Sequence, residues 1–156
     1  LDLSSYVDPI ARGRSKGTGL AVYKVHFDIC DDNGNDPVPA TATGTFRAAL
    51  VSLSGAPAAA VGDAALASNV MNASNDLMIA GVNFYAGGTA AGDPAPQVFL
   101  EPSIEVPYVV VRDQIILAIS VATQMSVGSS VKVRLECAQV TLDQATLNQL
   151  LRTQTV

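Results

Sequence analysis

Residues 21–29, "AVYKVHFDI", alternate apolar and polar side chains over nine positions. This is the period-2 signature of a strand with one buried face. The inward set reads Tyr23, Val25, Phe27 and Ile29, which leaves Lys24, His26 and Asp28 on the solvent side. "TGTFRAALVSL", 43–53, predicts a second strand, apolar on both parities after Arg47. "DLMIAGVNFYAGG", 76–88, predicts a third, with Gly81 at a bulge. Residues 97–142 then hold three or four strands in close succession, punctuated by Pro102, Pro107, the Arg112–Asp113 pair and "SVGSS". Pro107 cannot donate to a ladder, so it belongs at a strand start, an edge or a bulge. "DQIILAISVAT", 113–123, is apolar on both parities, as expected of a strand buried on both faces. "VKVRLECAQV", 131–140, alternates again, with Lys132, Arg134 and Glu136 outward.

The segments between and around these strands behave differently. Residues 1–20 show no sustained period and carry Pro9 and three glycines, so they predict an arm rather than a core element. Residues 54–76 are rich in alanine and predict a loop with at most one or two helical turns, Asp63 being the candidate cap. The period changes after 142: Thr141 or Asp143 can cap, and Leu147, Leu150 and Leu151 line one stripe of a short helix. The expected organisation is an arm over 1–20, a β-domain over 21–142 and a helical tail over 143–156. Seven or eight strands with little helix predict an all-β fold, a single antiparallel β-sandwich of jelly-roll type. Immunoglobulin hallmarks are missing, since the chain has no tryptophan.

A chain of 156 residues is one domain in size and can bury a core without a staple. Charged residues make up 15% of it, against about 25% in a typical domain. A surface so poor in charge is weakly hydrated and suits packing against copies or partners. Net charge is −5, which opposes general attraction to nucleic acid. The longest strictly apolar run, "IILAI", falls far short of the roughly 20 residues of a spanning helix. The chain starts at Leu1, so residues are expected to have been removed or to lie ahead of it, and no signal segment sets the compartment.

Candidate chemistry is sparse. The single histidine, His26, sits on a solvent face, and no serine occupies a nucleophile elbow, so the expectation is a protein that is not an enzyme. Glu101 and Glu105 have no aromatic platform for a sugar beside them. "FDICDDNGNDPVPATATG", 27–44, gathers Asp28, Asp31, Asp32, Asn33 and Asp36, a candidate calcium loop. With Gly34 at the sixth EF-hand position, however, the first falls on Ile29 and the twelfth on Ala40, so that motif is excluded. The favoured alternative is a tight Asn33-Gly34 turn leading into a loop stiffened by Pro37 and Pro39. No cofactor is expected, calcium being the one candidate. Cys30 shares the polar parity of Lys24, and Cys137 the buried parity of Leu135. Free thiols are therefore expected, with a Cys30–Cys137 disulfide as the alternative. Arg12, Arg14 and Lys16 form a basic trio suited to phosphate, a lipid head group or an acidic neighbour. The "NAS" sequon at 72–74 is a pattern that arises readily by chance.

Together these features predict a structural assembly subunit. In general architecture the chain looks like the small jelly-roll subunits of icosahedral capsids, an analogy of fold that no motif carries. The implied partners are copies of itself and other shell proteins in a virion. The basic arm would touch genome or an inner membrane. The alternatives are a secreted module binding carbohydrate or a cell surface, and a pilus or tail-tube subunit built into helical arrays.

Overall fold

The computed structural model describes residues 1–8, 16–35, 37, 43–52, 71–87, 95–123 and 128–153. Among the described residues seven strands precede one helix: β1 (Lys16–Asp31), β2 (Thr43–Val51), β3 (Met78–Gly87), β4 (Ala95–Leu100), β5 (Tyr108–Val110), β6 (Ile116–Thr123), β7 (Ser129–Asp143) and α1 (Gln144–Thr153). The strands form two antiparallel sheets, ordered β5-β1-β7 and β4-β3-β2-β6. The chain is an all-β sandwich with one short C-terminal helix. The first strand pairs with the last and β2 pairs with β6, the nesting of a long hairpin rolled onto itself.

The inner faces meet where the alternation requires. Phe46 on β2 stacks on Phe84 of β3 with centroids 4.9 Å apart, and Ile29 and Val131 of the other sheet pack against them. A second part of the core joins Leu20, Val22, Val25, Leu50, Ile79 and Val110. A bulge at Tyr23 shifts the β1 register between Val22 and Lys24. The inward parity therefore passes from Leu20 and Val22 to Val25 and Phe27, and Tyr23 is the inserted residue rather than a member of the inward row. The register with β4 shifts beside Gly81, but the inserted residue is Phe99 on β4, across from the glycine expected to hold the bulge. A Cβ there would lie 2.4 Å from Phe99 Cζ, so only glycine lets that ring lie on the sheet.

β2 is apolar on both parities because both of its faces are covered. Ala49 and Val51 point to the outer side, into a small cluster with Met71, Leu77, Met78 and Ala118. Arg47 closes this layer. Its guanidinium lies 4.4 Å from the Phe99 ring centre and donates to Asn83 Oδ1 (2.7 Å) and the Met71 carbonyl (3.0 Å). Pro107 immediately precedes β5, the short edge strand, where its missing donor costs no ladder bond.

Two expectations change. β1 begins at Lys16, so part of the expected arm is strand. Residues 1–8 also enter the core: Leu3 and Val7 are each 4% exposed, and Leu1 and Leu3 bond along residues 113–115 as a short extra strand would. Two apolar residues in a segment without period are enough to fill the open end of a sandwich whose β5 is only three residues long. The second change concerns β6, expected to be buried on both faces: it ends the order of its sheet, and Ile119 and Val121 are about half exposed.

At the other end Asp143 caps α1, its Oδ1 accepting from the Thr146 amide at 2.7 Å. That bond first of all holds the Asp143 carboxyl below the usual carboxylate range. Leu147, fully buried, seats over Gly17 of β1, where a Cβ would come within 2.6 Å of Leu147 Cδ2. No helix among the described residues is long and apolar enough to cross a membrane.

Candidate functional site

The sequence places Lys24, His26 and Asp28 on one strand and Lys132, Arg134 and Glu136 on another; the register makes them one surface. Lys24 lies opposite Glu136, His26 opposite Arg134 and Asp28 opposite Lys132, all on the outer face of the three-stranded sheet. A shallow groove runs between the two rows. His26 Nε2 lies 2.6 Å from Glu136 Oε1, a diagonal contact, and this bond first of all holds the Glu136 carboxyl below its ordinary value. Lys132 Nζ lies 4.0 Å from Asp28 Oδ2, and the Cys30 thiol beside it is the leading reason its ammonium titrates above the usual lysine value. These pairs are well exposed and contribute little to stability. Their importance is geometric, since they fix a pattern of signs along the edge strand β7. A histidine–carboxylate pair can relay protons, but the groove is lined by no hydroxyl or thiol that such a pair would activate.

The candidate calcium loop is not assembled as one. Asp28 faces Lys132 on the sheet, and the Asp31 carboxylate is taken up by its own turn, Oδ1 accepting from the amides of Asn33 and Asn35, each at 2.8 Å. Those bonds, Asn35 first, hold its pKa below the ordinary aspartate value. Gly34, at φ 84°, makes the turn, closed by bonds between Asp31 and Asn35 and between Gly34 and Asp31. Asp32 points instead toward Gly128, and Asn33 is exposed. Pro37 is buried, while Asp36 and Pro39 lie outside the described residues. Among the described residues no three His, Cys, Asp or Glu side chains converge.

The two cysteines do not meet. Cys30 sits opposite Ser130 and Cys137 opposite Val22. They stand seven positions apart along β7, roughly 23 Å at strand rise, against the ~7 Å limit between bridgeable Cα atoms. Their exposures are also the reverse of their parities. Cys30 is buried where β1 enters the 31–35 turn, and Cys137 is exposed with its neighbours Ala138 and Gln139. Among the described residues little covers the edge strand at that point beyond the Tyr6 carbonyl, which accepts from Gln139 Nε2 at 3.0 Å, so parity there does not decide burial.

Of the basic trio, Lys16 opens β1 opposite Asp143, whose charge it faces. Arg12 and Arg14 lie outside the described residues, as does most of the segment expected to hold Asp63 and a helical turn. Within "NAS", Asn72 is exposed and its Oδ1 accepts from the Ser74 amide at 3.1 Å.

The second surface is apolar, and periodicity alone misassigned it. On β6, Ile119 and Val121 pair in register with Ala48 and Phe46, which face the core, yet they are 46% and 56% exposed. Val98 on β4, opposite the buried Val82, is 47% exposed. Four strands lie over three, so the inner faces of both outer strands overhang the opposite sheet. Ile104 and Val106, both exposed, lie in the turn after β4, held by bonds between Ser103 and Val106. Compared with models of known protein families, with curated proteins and with solved structures, the chain finds no match.

Proposed function

We propose that the chain is a structural assembly subunit, not an enzyme, and that its most concrete role is as the shell protein of a virion. One observation carries this reading. β6 has the composition of a strand buried on both faces, yet it lies at a sheet edge with Ile119 and Val121 about half exposed. Large apolar side chains left exposed together on one strand support an interaction site. An assembled subunit would cover it with its neighbours, and the low charge of the chain fits a surface that spends its life against other protein.

In such a shell the partners are copies of this chain and other shell proteins, with Arg12, Arg14 and Lys16 nearest a genome or inner membrane. Native mass spectrometry and negative-stain microscopy of the purified chain test the reading. Stable oligomers or closed particles are expected. Val121→Lys, a substitution at a half-exposed site, is expected to leave the fold within about 0.5 kcal/mol of wild type and to abolish the particles. A wild-type chain that stays monomeric at high concentration would overturn the reading.

A further inference from the structure

We propose that the outer edge of β7 is a self-complementary contact, pairing antiparallel with the same edge of a second copy about a two-fold axis at Leu135. The inference rests on the assembly reading and names one of its contacts.

β7 runs for 15 residues, Ser129–Asp143, bonded to β1 on one side only. On its other side the described residues place no strand, and over residues 131–137 they supply no further backbone partner. Proteins commonly guard such an edge with charge, which repels a second edge in most registers. The charges here are mixed in sign and alternate with apolar residues: Lys132, Arg134 and Glu136 face outward, and Val131, Val133 and Leu135 are partly buried on the inner side. Among the described residues Arg134 forms no ion pair within its own chain.

A two-fold axis requires opposed residue numbers to have a constant sum, and the pleat requires outward residues to oppose outward residues. When Leu135 lies opposite Leu135, Arg134 opposes Glu136 and Glu136 opposes Arg134. The charged pair thus forms twice, flanking the axis. On the inner face Val133 opposes Cys137, and Val131 opposes Gln139. Sliding the copies by one pleat in either direction sets Arg134 against Arg134 or Glu136 against Glu136. Among neighbouring registers, the charges therefore select one. The product is a continuous six-stranded sheet, β5-β1-β7-β7-β1-β5, with an isologous contact at its centre.

Light scattering on the full chain, with three charge variants, tests this contact. Arg134→Glu and Glu136→Arg each create two like-charge pairs at the axis, and each is expected to weaken self-association at least about tenfold. Mixed in equal amounts, these two variants are expected to associate with each other, because both cross pairs become opposite in sign again. The double variant R134E/E136R is expected to regain the wild-type mass. Val133→Cys, opposite the native Cys137, is expected to give disulfides between residues 133 and 137 of different chains under mild oxidation, read by mass spectrometry of the cross-linked peptides. An oligomeric wild type indifferent to either charge reversal overturns the β7 contact and leaves the assembly reading standing. A monomeric wild type overturns both.

Discussion

If α1 is held to the sandwich by a leucine seated in the space of a missing side chain, filling that space and emptying the leucine must be coupled. Gly17→Ala places a methyl 2.6 Å from Leu147 Cδ2 and 3.1 Å from the Asp8 carbonyl oxygen. The leucine tip can move, but the backbone oxygen moves only with its segment. Overpacking of this kind costs about 1–3 kcal/mol. Alanine in a strand recovers roughly 0.5–1 kcal/mol over glycine, which leaves a net loss of about 1–2 kcal/mol. Leu147→Ala empties a fully buried site and is expected to cost about 3 kcal/mol, within the range of such truncations. In the double variant the new methyl occupies part of the vacated space, so the combined loss should fall short of the sum by about 1–2 kcal/mol. Urea unfolding of the four proteins, followed by far-ultraviolet circular dichroism, measures this coupling. Additivity within about 0.5 kcal/mol would refute the seating of α1 on β1.

Two further outcomes are expected. Gly34→Ala isolates a backbone cost, because a Cβ there meets nothing within 4 Å while φ is +84°; a loss of about 1 kcal/mol should appear as a drop of a few degrees in Tm, and an unchanged Tm would contradict the turn. Tyr108 donates to the Asp76 carbonyl at 2.8 Å, and its pKa is pushed from 10.0 up to about 12 by burial first, with the negative charge of Asp76 adding and a Ser52 hydrogen bond opposing. The stability carried by its proton is full below pH 10 and is lost as pH rises toward 12, on the order of 2 kcal/mol in all. Urea midpoints measured across that window should fall in the wild type and fall less in Tyr108→Phe, and parallel profiles would sink the assignment.

Much of the fold was legible because it depends on local rules. The alternation in β1, the Asp143 cap and the strand start after Pro107 each follow from a residue and its immediate neighbours. Features set by layers were not legible. An apolar strand reads the same whether its second face meets a helix, a sheet or a neighbouring subunit, so β6 reads as buried on both faces although one is half exposed. Leu3 and Val7 carry no period because they plug the end of a sandwich. Cys137 follows the buried parity but lies where the edge strand has no cover. The charged surface was half legible, since both rows were assigned outward correctly. Only the β1–β7 register shows that His26 meets Glu136, and that Arg134 lies between the His26–Glu136 and Asp28–Lys132 pairs with no ion pair among the described residues.

The pairing of the first strand with the last sets the order in which the molecule can form during synthesis. Lys16 waits for Asp143, and the N-terminal amine waits for the Ile115 carbonyl, 114 residues away. Sequence-distant contacts of this kind slow folding, because chain entropy is lost before the contacts reward it. On a ribosome the β2–β3–β4 meander can close early, whereas the three-stranded sheet lacks its β7 edge until all the other strands have emerged. The edge assigned to self-association is therefore the last strand of its own sheet to emerge. A nascent chain cannot offer it to a neighbour before β1 and β5, which share that sheet, have been made.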